Sequence, residues 1–74
     1  MTPRNLVPLE PRQTVHALCD EIAVSLPDRA VTVMLELAAF RDTRTPLDAN
    51  RLVRALRHVA YREDLAVQVE ALLD

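Results

Sequence analysis

Residues 45–60 read TPLDANRLVRALRHVA, and this stretch decides the fold. Thr45 is a good helix cap, Pro46 suits the first helical position, and Asp48 follows three residues after the cap, where an acid meets the open backbone amides. Behind that start, Leu52, Val53, Leu56, Val59 and Ala60 recur at steps that lay one apolar stripe on a helix. Arg51, Arg54, Arg57 and His58 fall largely on the other side. One well-marked amphipathic helix of this kind requires apolar partners, and the flanking sequence supplies them.

Upstream, Arg41-Asp42-Thr43-Arg44-Thr45 is a polar connector. Before it, residues 28–41 carry Ala30, Val31, Val33, Met34, Leu35, Leu37, Ala38, Ala39 and Phe40, apolar nearly all round. Such a helix is expected to pack on several sides and to be the central one. The run VTVML contains β-branched residues, but the chain offers no second strand for it to pair with. Further upstream, Val15, Leu18, Cys19, Ile22 and Leu26 draw a stripe on a helix over residues 11–26, with Pro11 as its first residue and Pro27 as its stop. Pro3, Pro8 and Pro11 make residues 1–10 an extended arm whose Leu6, Val7 and Leu9 either pack on the bundle or wait for a partner. Downstream of Ala60 the apolar phase breaks, and a new face of Leu65, Val69, Leu72 and Leu73 gives a fourth helix over residues 62–73. The expected fold is all-α: a compact bundle of four helices (11–26, 28–41, 46–60, 62–73), one domain over residues 11–74 preceded by the arm.

Composition narrows the function. Seventy-four residues with a hydrophobic fraction of 50% suffice for one small core but leave little room for a deep cleft. The chain has no Gly, so phosphate-binding glycine loops and the usual tight hairpin turns are excluded. His16 and Cys19 stand three apart on one helix, but no further ligands fall at supporting spacing, so neither a zinc centre nor a cysteine nucleophile is expected. An enzyme, a metal site and a cofactor are all unexpected. The single Cys19 forms no internal disulfide, which favours a reducing, cytoplasmic setting. There is no apolar run of signal-peptide or membrane-span length.

Charge is more informative in its distribution than in its total of −2. From Arg41 to Arg62 six arginines face only Asp42 and Asp48, whereas Glu63, Asp64, Glu70 and Asp74 make the tail acidic. Residues 10–36 form a second acidic region, Glu10, Asp20, Glu21, Asp28 and Glu36 being opposed there by only Arg12 and Arg29. All nine basic residues are Arg, whose planar fork pairs carboxylates bidentately and is favoured at interfaces.

Arg62, Asp64 and Leu65 stand as R-x-D-L at the start of the last helix, behind the Leu52-Val53-x-x-Leu56 pattern. This resembles the end of death effector domains and, similarly, small bacterial effector-associated adaptor domains. The Ser25-Leu26 junction into Asp28-Arg29-Ala30-Val31 also looks like the first helix junction of that family, its viral inhibitor members included. The resemblance implies a shortened death-fold-like arrangement and homotypic protein association. It also implies a surface charge triad of Arg62, Asp64 and an acid of the second helix, for which Asp28 is nearest, Ala30 occupying the matching position.

The charge pattern and the resemblance lead to one expectation: a protein-interaction module, adaptor or inhibitor, that docks through complementary Arg-rich and acidic faces, either associating with itself or inhibiting a larger partner. The partner-binding set is Arg51, Arg54, Arg57, Arg62, Asp64, Leu65 and Asp28; the partner is a protein, and membrane is not expected. The alternatives are a helix-turn-helix DNA reader with Arg51, Arg54 and Arg57 on its second helix, a phage-type inhibitor of a larger protein, or a dimer sealed by the arm and the second helix. The acidic tail and the Gly-free connector weigh against DNA.

Overall fold

The computed structural model describes residues 6–26 and 31–73, and these form four helices: α1 (Arg12–Ser25), α2 (Val31–Thr43), α3 (Pro46–His58) and α4 (Glu63–Ala71). α1 packs on α2 and α4, and α3 packs on α2 and α4, the backbones of these neighbours approaching most closely among the described residues. The helices therefore close a four-membered ring around one core of Val15, Cys19, Ile22, Leu26, Val33, Leu37, Phe40, Leu52, Leu56, Leu65 and Val69. The radius of gyration, 11.4 Å, is that of a chain of this length packed to ordinary density, about 11 Å. The expected all-α bundle of four helices is present.

The stripe on α1 buries as its spacing dictates, with Val15, Cys19 and Ile22 inward. Its start differs by one residue: Pro11 is the extended cap, and its carbonyl accepts from the amides of Thr14 and Val15. α3 starts as its sequence requires. Thr45 Oγ1 accepts from the Asp48 amide at 3.3 Å while its hydroxyl donates to Asp48 Oδ2 at 3.2 Å, so cap and acid satisfy each other.

The central element is α3 rather than α2. α3 buries Ala49, Leu52, Val53, Ala55 and Leu56, two of them alanines that let its neighbours approach on both sides. α2 buries only Val33, Leu37 and Phe40, a single stripe. Met34 packs partly against the core, while Val31 and Leu35 look outward, 60% and 66% exposed.

A chain without glycine must turn sharply by other means, and among the described residues it does so at two positions of positive φ. Arg44, at 55°, ends α2, and Tyr61, at 54°, separates α3 from α4. The Arg44 amide returns to the Phe40 carbonyl at 2.6 Å, and past Tyr61 the Arg62 amide returns to Leu56 at 2.8 Å. The left-handed turn at Tyr61 ends α3 at His58, two residues before the expected Ala60, and leaves Val59 half exposed. The first segment is fastened at the other turn. Leu9 donates its amide to the Arg44 carbonyl at 2.7 Å and is partly buried against the core, whereas Leu6 and Val7 remain exposed. Among the described residues no helix is long and apolar enough to cross a membrane.

Candidate protein-interaction surfaces

The arginines of α3 do not share one face. Six residues at about 100° each carry the helix through about 120° net between Arg51 and Arg57, and the two ends of the row are used differently. Arg57 turns toward α4, where Nε reaches Glu63 Oε1 at 2.7 Å, and Nη2 reaches Glu63 Oε2 at 2.5 Å and Glu70 Oε1 at 2.9 Å. These bonds raise the guanidinium's pKa further and hold the Glu63 carboxyl below its ordinary value. Arg57 thus ties α3 to the start and end of α4.

Arg62 is also engaged internally. It grips Asp64 through two parallel bonds, Nε to Oδ1 at 3.1 Å and Nη2 to Oδ2 at 3.0 Å, while Nη1 donates to the Ser25 carbonyl at 3.0 Å. The guanidinium thereby satisfies a carbonyl at the open C-terminal end of α1. The hydrogen bond to Arg62 lowers the Asp64 pKa, helped by the position of Asp64 in the first turn of α4. Of the R-x-D-L residues, Arg62 and Asp64 therefore meet, and Leu65 is buried in the core rather than presented to a partner. Asp28 and Ala30, the candidate positions for a third member of the triad, lie outside the described residues.

Arg51 and Arg54 stay together, on the opposite flank of α3. With Thr32 and Glu36 of α2 and Ala55, His58 and Val59 they line a groove of about 560 Å³. Arg51 has only a long contact to Asp48, 3.9 Å, and Arg54 has no protein partner among the described residues. The groove joins apolar ground, since Val59 is 50% exposed, to two cations on its rim.

Across the ring, on the seam between α1 and α4, lies a shelf formed by Glu21, Val24, Ser25, Arg62, Asp64, Leu65 and Gln68. Arg62 is neutralised there by Asp64, and the Glu21 carboxylate has no ion-pair partner among the described residues. Val24, 86% exposed, stands beside it. The sequence reading missed Val24 and Leu35. Both carried a signal: Val24 is an aliphatic residue that falls off the α1 stripe, and Leu35 is one of the surplus apolar residues of α2 that were assigned to burial.

Among the described residues no group of three or more His, Cys, Asp or Glu is placed to hold a metal ion. Cys19 is buried, and burial pushes its thiol pKa up, more than the nearby Arg41 charge pulls it down. No family model, curated protein or solved structure matches the chain.

Proposed function

We propose that the chain is a protein-docking module whose copies assemble head to tail, the Arg51–Arg54 groove of one copy receiving the Glu21–Val24 shelf of the next. The observation that carries this reading is the placement of the two surfaces. The α2/α3 and α1/α4 seams lie on opposite sides of the four-helix ring, one rimmed by arginine and the other by the Glu21 carboxylate. Both offer exposed aliphatic side chains, Val59 beside the groove and Val24 on the shelf. Pairing them covers apolar surface and brings Arg54 to Glu21, two charges without ion-pair partners among the described residues of one copy. Because the surfaces are different, the contact is heterologous, and repetition yields a chain or ring of copies rather than a closed two-fold dimer.

The same geometry bears on the DNA alternative. Arg51 and Arg54 do lie on the second helix of an α2–α3 pair, but they overlook a groove shared with Glu36 and Val59. A duplex would meet a carboxylate and an aliphatic residue where it needs donors to phosphate.

Sedimentation equilibrium over a concentration series tests the proposal. The expected result is growth beyond a dimer that weakens as salt rises. Arg54→Glu and Val24→Glu each block one surface, so each alone is monomeric, while their mixture forms a 1:1 complex through the two surfaces left intact, the two altered surfaces being both acidic. A strict monomer at millimolar concentration, or a salt-insensitive dimer unaffected by either change, overturns the reading. Salt-dependent retardation of a random duplex in a gel would favour the DNA reader instead.

A further inference from the structure

The α1/α2 seam carries a separate cleft of about 410 Å³, lined by Arg12 and His16 from α1, Ala38, Arg41 and Asp42 from α2, and Arg44 from the connector. Three guanidiniums from three segments of the chain face one space, against Asp42 as the only carboxylate of the lining. Two of the three are held from behind. Arg41 pairs with Asp20 through Nη1. Arg44, with only 18% of its side chain exposed, donates Nη1 to the Leu9 carbonyl at 2.9 Å and to Glu10 Oε1 at 3.1 Å. Both contacts use the same terminal nitrogen. Nε and Nη2 of Arg41 and Arg44, and the whole Arg12 guanidinium, meet no protein acceptor among the described residues.

We infer that this cleft is a binding site for a compact phosphate-bearing anion. The donor set decides the ligand class. A carboxylate offers two oxygens and is satisfied by one guanidinium fork, whereas three guanidiniums lining one cleft supply donors enough for the three or more oxygens of a phosphate group. Asp20 and Glu10 offset part of the charge, but each takes a single nitrogen of its arginine. The backbone adds order, because Arg44 is fixed at its own amide by Phe40 and at its carbonyl by Leu9. An arginine occupies this left-handed position, φ 55°, where glycine is the unstrained choice. The inference is independent of the docking surfaces, which lie on the other two seams.

Titration calorimetry of the full chain with inorganic pyrophosphate, at constant ionic strength set with sodium chloride, provides the test. Saturable 1:1 binding is expected. Arg12→Ala, an exposed change that removes one fork and no recorded side-chain contact, weakens it about tenfold or more, on the scale of one charge-assisted hydrogen bond. Asp42→Asn strengthens it by removing the one repelling carboxylate. A phosphoserine peptide run in parallel distinguishes the source: equal binding marks a site for a terminal phosphate ester, and preference for pyrophosphate marks a free polyphosphate. Absence of saturable binding to either probe at millimolar concentration overturns the inference, as does binding that Arg12→Ala leaves unchanged while circular dichroism shows the fold intact.

Discussion

Arg57 Nη2 lies 2.9 Å from Glu70 Oε1, an ion pair that spans α3 and α4 at the most extensively packed seam of the ring. With Glu63 as its second partner, Arg57 belongs to the fold, whereas Arg54, one helical step earlier, has no protein partner among the described residues. The two arginines therefore respond differently to the same change.

Arg57→Glu places a third carboxylate between Glu63 and Glu70, and thermal unfolding followed by circular dichroism should show a clearly lower midpoint. Arg54→Glu should leave the midpoint unchanged, since it disturbs no internal contact, and abolish association. Equal midpoints for the two variants would contradict the division of the arginine row.

Acid should loosen the α4 end of the bundle. Hydrogen bonds from Arg57 and Arg62 hold the Glu63 and Asp64 carboxyls below their ordinary pKa values in the folded chain. The unfolded chain binds its protons first as pH falls, so the stabilisation is complete above the ordinary carboxylate range and is lost as pH drops through the depressed folded values. Urea unfolding should give a flat stability between about pH 7 and 5.5 and a decline that begins near pH 4. The double change Glu63→Gln and Asp64→Asn should lower stability at pH 7 and shrink that decline. An unaltered acid limb would mean that other carboxylates govern it.

Tyr61 holds φ at 54° while its side chain is 82% exposed, so its ring contributes little to offset the left-handed backbone. Replacing it with glycine relieves a cost of about 1–2 kcal/mol and reintroduces glycine's extra unfolded-state entropy. The net expectation for Tyr61→Gly is a gain of about 0.5–1 kcal/mol in chemical denaturation. Arg44→Gly obtains the same relief at φ 55° but removes the bonds to Leu9 and Glu10, and its net change should lie below that of Tyr61→Gly. A larger gain at Arg44 would show that its side chain does not fasten the first segment.

These positions also mark what the sequence could and could not convey. The start of α3 was legible because Thr45, Pro46 and Asp48 act locally, through cap and dipole, and need no partner. The stripe of α1 was legible because Val15, Cys19 and Ile22 repeat at the helical period. The role of α2 was not: uniform apolarity is equally compatible with burial and with an exposed apolar surface, and Leu35 proved to be surface. The arginine row misled for a geometric reason, since steps of three residues drift about 60° each around a helix, so Arg51 and Arg57 point to different neighbours. The left-handed turns carried no signal, because the usual marker, glycine, is absent from the chain.

Cys19 gives a direct reading of how tightly the ring is closed. It is 1% exposed in the core, and burial raises its thiol pKa against the opposing pull of the nearby Arg41 charge. Both factors suppress the thiolate that alkylating reagents attack. At pH 8, labelling of the native chain with iodoacetamide should therefore run on the order of 100-fold slower than that of a free thiol, and should be governed by opening of the bundle. Because α1 contributes Cys19 to the shared core, detachment of α1 alone would expose the sulfur. Urea should accelerate labelling in step with the loss of helicity if the four helices open as one unit. Acceleration at lower urea than the circular dichroism transition would show instead that α1 leaves first. In that case the α1/α4 shelf and the α1/α2 cleft would both be lost before the α2/α3 groove, and association should fail at the same low urea concentration.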